Sequence, residues 1–272
     1  MPLVKTASLI APGRGVAAFN VITLEHAVAV ISGAEAAGVP VICQISENAV
    51  AFHGGRLAPI AAATAAVAQA STARVALHLD HVMDLDLLHQ AADHGFSSVM
   101  YDGSRHPYDK NLARTAEAVS WAHAHGLWLE AELGEVGGKD GAHAPGVRTD
   151  PAEARAFVEA TGVDGLAVAV GNSHAMTDRS ATLDHDLICR LRDALSVPLV
   201  LHGSSGVPDD ELRRAVRSGM TKINIGTALN IAFTTAVRTH APTHVDPRAY
   251  LAPARDAMAA TVAHLQTVIA GA

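Results

Sequence analysis

The sequence predicts an α/β fold, a closed (β/α)8 barrel forming a single domain over residues 1–272 with an extra C-terminal helix. Three observations lead there. Eight short runs rich in Val, Ile and Leu recur along the chain, each followed by a longer stretch with helical spacing. The runs do not alternate strictly between apolar and polar residues, as expected of parallel strands covered on both faces. The Gly-x-Gly-x-x-Gly turn that would follow the first strand of a doubly wound sheet is missing.

The runs are 16–21, 40–46, 75–81, 97–103, 127–134, 165–171, 198–203 and 221–227. Between them, stretches such as 24–37, 84–94, 109–125 and 209–218 read as amphipathic helices. Gly38, Gly95, Gly126 and Gly219 stand where a left-handed residue closes a helix. Eight such units in about 230 residues suit a closed barrel. Residues 246–272 read as one helix more. Two connections exceed the pattern. Residues 135–150, rich in Gly, Pro and polar side chains, follow the fifth strand and read as a lid over the barrel mouth; residues 239–247 precede the terminal helix.

Composition narrows the function classes. A chain of 272 residues that is 49% hydrophobic is globular rather than disordered. Lys and Arg total 20 against 27 Asp and Glu, a net charge of −7 without a basic run, which argues against nucleic acid or an anionic membrane as partner. A small molecule is the expected partner. Cys43 and Cys189 lack metal-site or redox spacing, and a reducing compartment fits. The apolar stretch before Pro12 is too short for a signal-peptide core. The longest apolar run, 57–70, falls short of the ~20 residues of a membrane span. The expectation is a soluble, cytoplasmic protein.

Chemistry in such a barrel sits at the C-terminal ends of the strands. Three of the 16 histidines fall there: His81 ends the third run, His174 follows the sixth and His202 ends the seventh. Three imidazoles with an open fourth position form the pattern of a catalytic zinc site. Asp80 precedes His81, and strand alternation sends the two side chains different ways, Asp80 into the mouth as a general acid or base or as a partner orienting a histidine. His78 shares the Asp80 face in a structural role. Glu130 and Glu132 share one face of the fifth strand, a costly choice inside a barrel unless they hold a cation or a polar network; Glu132, nearer the rim, is the candidate second metal ligand or support. Gly203-Ser204-Ser205-Gly206 and Asn224-Ile225-Gly226-Thr227 follow strands seven and eight, where exposed backbone N–H groups bind phosphate in many barrels.

The segments HLDH (78–81), EAELGEVGG (130–138), GNSH (171–174), PLVLHGSSG (198–206) and TKINIGT (221–227) lie in this order on these strands. With AFNV around Asn20, QISENA around Ser46 and Asp246-Pro247-Arg248, they resemble the class II, zinc-dependent ketose-bisphosphate aldolases of the fructose- and tagatose-bisphosphate type. The resemblance spans residues 15–250. It implies reversible cleavage of a phosphorylated ketose to dihydroxyacetone phosphate and an aldehyde, with Zn²⁺ on His81, His174 and His202 stabilising the enediolate as a Lewis acid. It further implies that Asp80 protonates the aldehyde carbonyl and that Asn224 lies near the reacting carbons. One phosphate is assigned to the loops of Gly203, Ser205, Gly226 and Thr227. The distal phosphate falls to Asn20, Ser46 and Arg248, the last from a neighbouring subunit, so a homodimer or homotetramer is expected. A monovalent cation, Na⁺ or K⁺, is expected near the loop after strand six.

Two departures from the family pattern stand out. The lid reads Gly137-Gly138-Lys139-Asp140-Gly141 where the family carries a Glu-Asp pair, which leaves Asp140 or Glu135 as proton shuttle at the triose carbon. Ala175 stands where the family has glycine after the strand-six histidine. These departures motivate an alternative, a catalytically weakened or inactive barrel serving as a sugar-phosphate-binding or assembly protein. A metal-dependent hydrolase would also use rim histidines, but its His-x-His on the first strand is absent.

Overall fold

The computed structural model describes residues 3–133, 148–173 and 176–272. Eight parallel strands pair in chain order and close: β1 (Val16–Asn20), β2 (Val41–Ser46), β3 (Val75–Val82), β4 (Ser98–Tyr101), β5 (Trp128–Glu132), β6 (Gly165–Ala167), β7 (Leu199–Leu201) and β8 (Met220–Ile225), with β8 returning to β1. This is a (β/α)8 barrel of the TIM type, and each strand lies within or at one residue of the run that predicts it.

The helices are α1 (Leu24–Ala37), α2 (Glu47–Phe52), α3 (Leu57–Gln69), α4 (Leu85–His89), α5 (Tyr108–Ala124), α6 (Pro151–Thr161), α7 (His185–Ala194), α8 (Asp209–Ser218), α9 (Thr227–His240) and α10 (Arg248–Ala270). Their ends follow side-chain chemistry. Asp150 accepts from the N–H groups of Ala152 and Glu153 with Pro151 at the first helical position, and Gly162, at φ +72°, closes the same helix. Gly38, at φ +67°, closes α1 by donating to the carbonyls of Ala34 and Glu35. The single helix expected over 84–94 is instead α4, capped by Asp84, followed by a 3-10 turn over Gln90–His94 that stops at Gly95. The long connection expected at 239–247 is shortened because α9 runs to His240 and a 3-10 turn follows at Ala241–Thr243. The lid 135–150 lies largely outside the described residues.

The extra helix α10 packs against α1 and α9. It comes close because Gly33 has no side chain: a Cβ there would lie 2.6 Å from the side chain of Val262.

The expectation of strands without alternation is corrected on β3, β5 and β8. Leu77, Leu79, Leu129, Ala131, Ile223 and Ile225 join the helices in the main core, whereas His78, Asp80, Glu130, Glu132, Lys222 and Asn224 between them are buried and polar. Both faces are indeed covered, but only the outer one is apolar throughout. Below, Ala18, Ile42 and Ala76 form an apolar floor with Leu9 and Val16. The barrel interior therefore passes from hydrocarbon at the base to charge at the mouth.

Candidate active site

Strand β3 delivers two candidate residues to one place. His81 has φ +50°, the one positive φ at a non-glycine residue among those described, and the β3–β4 register shifts between Leu79 and Val82. Such a conformation costs about 1–3 kcal/mol and is sustained only where surrounding contacts hold it. The kink cancels the alternation that would separate neighbouring side chains. Asp80 and His81 thus converge, contrary to the sequence expectation, and one ligand atom from each lies within 4.8 Å of the other and of one from His202.

Carboxylates fix both rings. His81 Nδ1 lies 2.8 Å from Asp102 Oδ2 and His202 Nε2 lies 2.8 Å from Glu130 Oε1, the carboxylate–histidine arrangement that orients metal ligands. The two rings meet edge to face, with centroids 4.7 Å apart. A second group of donor atoms, from His81, Asp102 and Glu132, also falls within 4.8 Å. Asp102, just beyond β4, escaped the sequence reading although it is the last but one residue of a predicted strand run, close to the signal that found His81.

The electrostatics fit a cation. Asp80, Asp102, Glu130 and Glu132 are all buried, and Lys222 is the one Lys or Arg among the buried described residues, its Nζ 2.8 Å from Glu130 Oε2. Four buried carboxylates against one fixed cation is an expensive arrangement unless a metal offsets it. Imidazole nitrogen with carboxylate oxygen is a donor set that zinc accepts. Burial by itself would raise the Asp80 pKa, but the nearby His81, His78 and Lys222 side chains hold it well below the usual carboxylate range. Burial would likewise lower His202, yet its contacts with Glu130 and Glu132 bring it to about 9. His174, Ala175, Glu135, Lys139 and Asp140 lie outside the described residues.

A cleft opens beside these residues. Asn20, Gln44, Ser46, Asn48, Asp80, His81, Gly203, Ser205, Asn224, Gly226, Thr227 and Asn230 line it. At one end the loops after β7 and β8 are tied together: Ser204 Oγ donates to the Asn224 carbonyl and the Ala228 N–H donates to Ser205 Oγ. Gly203 turns there at φ +62°. The cradle opens onto the N-terminus of α9, whose dipole favours an anion. Asn224 is buried with neither amide atom hydrogen-bonded, so a bound molecule would satisfy it. At the other end Gln44 Nε2 donates to Asn20 Oδ1, and Ser46 Oγ caps α2 by accepting from Ala49 N–H. Arg248 stands off the cleft, exposed and paired with Asp246. Gln44, Asn48 and Asn230 were not singled out in the sequence, because an isolated carboxamide carries no spacing signal.

His78 lies deeper, fully buried, with Nδ1 2.8 Å from Ser98 Oγ and Nε2 3.6 Å from Asp80 Oδ1. Asn172 ties the loop after β6 to the end of β7, donating to the His202 carbonyl at 2.8 Å.

Comparison with known proteins identifies the family. The family model described as class-II fructose-bisphosphate aldolase matches residues 6–271. A fructose-bisphosphate aldolase of Geobacillus stearothermophilus is 40% identical over 250 residues, 90% of this chain and 87% of that one. A 6-phospho-5-dehydro-2-deoxy-D-gluconate aldolase of Shouchella clausii is 40% identical over 223 residues, 81% of this chain and 76% of that one. The crystal structure of the YdjI aldolase of Escherichia coli K12 superposes with a TM-score of 0.81 at 34% identity, covering 94% of this chain and 91% of the other. The chain belongs to the class II fructose-bisphosphate aldolase family and is a carbon–carbon lyase of reversible aldol cleavage.

Proposed function

We propose that the substrate is a ketose phosphate of the fructose- or tagatose-1,6-bisphosphate kind and that the metal is Zn²⁺, held by His81, His202 and His174, with Glu132 as support. The observation that carries this is the convergence of Asp80, His81 and His202 above buried carboxylates and beside the unpartnered amide of Asn224. When bound, zinc supplies a Lewis acid that stabilises negative charge on the ketone-derived fragment. The backbone N–H groups around Gly203, Ser205, Gly226 and Thr227, with the α9 dipole, hold the phosphate next to that fragment. Asn224 orients the reacting carbons.

In the cleavage direction the ionised Asp80 takes the proton of the C4 hydroxyl as the C3–C4 bond breaks. The aldehyde leaves, and the bonding pair stays on C3 as an enediolate. A proton then returns to C3 from Asp140 or Glu135, giving dihydroxyacetone phosphate. In condensation Asp80 gives its proton to the aldehyde oxygen.

Asn20 and Ser46 read the distal end of the substrate. Arg248 of a neighbouring copy completes that end in a homodimer or homotetramer, in keeping with its exposure and its place outside its own cleft. A Na⁺ or K⁺ ion is assigned near Ala175. Among the described residues no helix is long and apolar enough to cross a membrane, and the cytoplasm is the proposed location.

The test is a cleavage panel of fructose, tagatose and deoxy-ketose phosphates, with and without the second phosphate, on zinc-loaded and chelator-treated protein. Cleavage should vanish on chelation and return with zinc. Activity that survives full demetallation, or that borohydride traps, sinks the metal mechanism.

A further inference from the structure

We propose that Glu130 and Lys222 are positioning residues for the metal, acting together through His202. The inference rests on the reading that zinc sits at His81 and His202.

Three side chains from three strands form one chain of contacts inside the barrel. Lys222 Nζ donates to Glu130 Oε2 at 2.8 Å, and Glu130 Oε1 accepts from His202 Nε2 at 2.8 Å. All three side chains have 0% exposure. The Glu130–His202 bond reaches from β5 across β6 to the end of β7. A buried ion pair is a poor stabiliser compared with apolar side chains of the same volume. Its geometry here serves direction instead. With Nε2 occupied, the His202 ring presents Nδ1 to the cluster, where it lies 3.5 Å from Glu132 Oε2. His81 is held the opposite way, its Nδ1 on Asp102, so that Nε2 is its outward nitrogen. Without the Lys222 anchor, Glu130 could swing toward His78 Nε2, 3.9 Å from the same oxygen, and the ring would lose its fixed partner.

The experiment measures zinc affinity of the full chain and of Glu130→Ala, Glu130→Gln and Lys222→Met by competition with a chromophoric chelator. Thermal unfolding is followed in parallel. Glu130→Ala should bind zinc roughly 10–100-fold more weakly, the usual loss when an orienting partner is removed. Glu130→Gln, whose amide oxygen can still accept from Nε2–H but whose NH2 group then faces Lys222 and loses that anchor, should fall between wild type and Glu130→Ala. Lys222→Met gives a test of sign. Removing a positive charge near a cation site tightens binding if the role is purely electrostatic, but loosens it if Lys222 anchors Glu130.

Zinc binding unchanged in Glu130→Ala, or tightened in Lys222→Met, overturns the proposal while the metal reading stands. Failure of the unaltered chain to bind zinc overturns the metal reading itself. Should the variants not fold, ¹⁵N histidine spectra of the zinc-loaded wild-type chain decide. The proposal requires His202 with its proton on Nε2 and metal on Nδ1, and zinc on Nε2 refutes it.

Discussion

On β3, β5 and β8, successive residues belong to two environments separated only by the thickness of the sheet. The outer set, Leu77, Leu79, Leu129, Ala131, Ile223 and Ile225, packs against helices with almost no solvent exposure. Each large aliphatic side chain there contributes about 1.5–3 kcal/mol by burial. The inner set, His78, Asp80, Glu130, Glu132, Lys222 and Asn224, is buried just as completely yet gives up hydration for hydrogen bonds and ion pairs that offset it only in part. The outer face accounts for why the chain folds, and the inner face supplies the polar groups of the candidate site. Substitutions on the two faces should therefore separate stability from chemistry.

The largest effect belongs to the inner face. Asp80→Asn should lower kcat by ~10²–10⁴-fold, the range for a general acid–base group, with zinc content kept. Metal analysis beside steady-state kinetics checks this, and equal loss of zinc and turnover would make Asp80 a support for the metal instead.

On the outer face, Leu129→Ala should cost about 2–5 kcal/mol of stability in denaturant unfolding while leaving the zinc affinity of the folded protein unchanged. A matching loss of affinity would show that the faces are mechanically coupled.

Gly33→Ala tests the outermost layer. Alanine favours the helix by about 1 kcal/mol, but its methyl group would meet Val262 at 2.6 Å. The net expectation is a destabilisation of about 1–2 kcal/mol as α10 is pushed from α1, read as a lowered melting temperature at unchanged kcat.

The smallest effect concerns an ion pair remote from both faces. Asp209 contacts Arg179 at 2.6 Å and His264 at 2.7 Å. Burial would raise its pKa, but these partners outweigh burial and hold the carboxyl below its ordinary value. A depressed folded-state pKa stabilises at pH above the unfolded value, and the gain is lost as pH falls through the folded value. Asp209→Asn should thus cost under about 1 kcal/mol at neutral pH, with the difference from wild type vanishing in strong acid.

Much of this was legible in the chain because it depends on local chemistry. Apolar runs marked the strands, Gly38 and Gly219 marked helix ends, and the motifs around His81, His202 and Asn224 fell at strand termini, where a parallel barrel gathers its chemistry. Tertiary structure decided what no spacing encodes. Asp80 and His81 meet because the backbone turns left-handed at His81, a conformation imposed by surrounding contacts and not by residue type. Asp102, Gln44, Asn48 and Asn230 joined the site because closing the sheet brings together strand ends far apart in sequence.

By itself, then, the sequence determined the barrel, its order of strands and the strand ends that line the candidate site, since hydrophobic periodicity and helix-ending glycines act over a few residues. The pairing of Lys222 with Glu130, 92 residues away, and of Glu130 with His202, 72 residues away, was decided only when the barrel closed. Contacts at that separation depend on strand register and on closure of the barrel, which are properties of the assembled sheet.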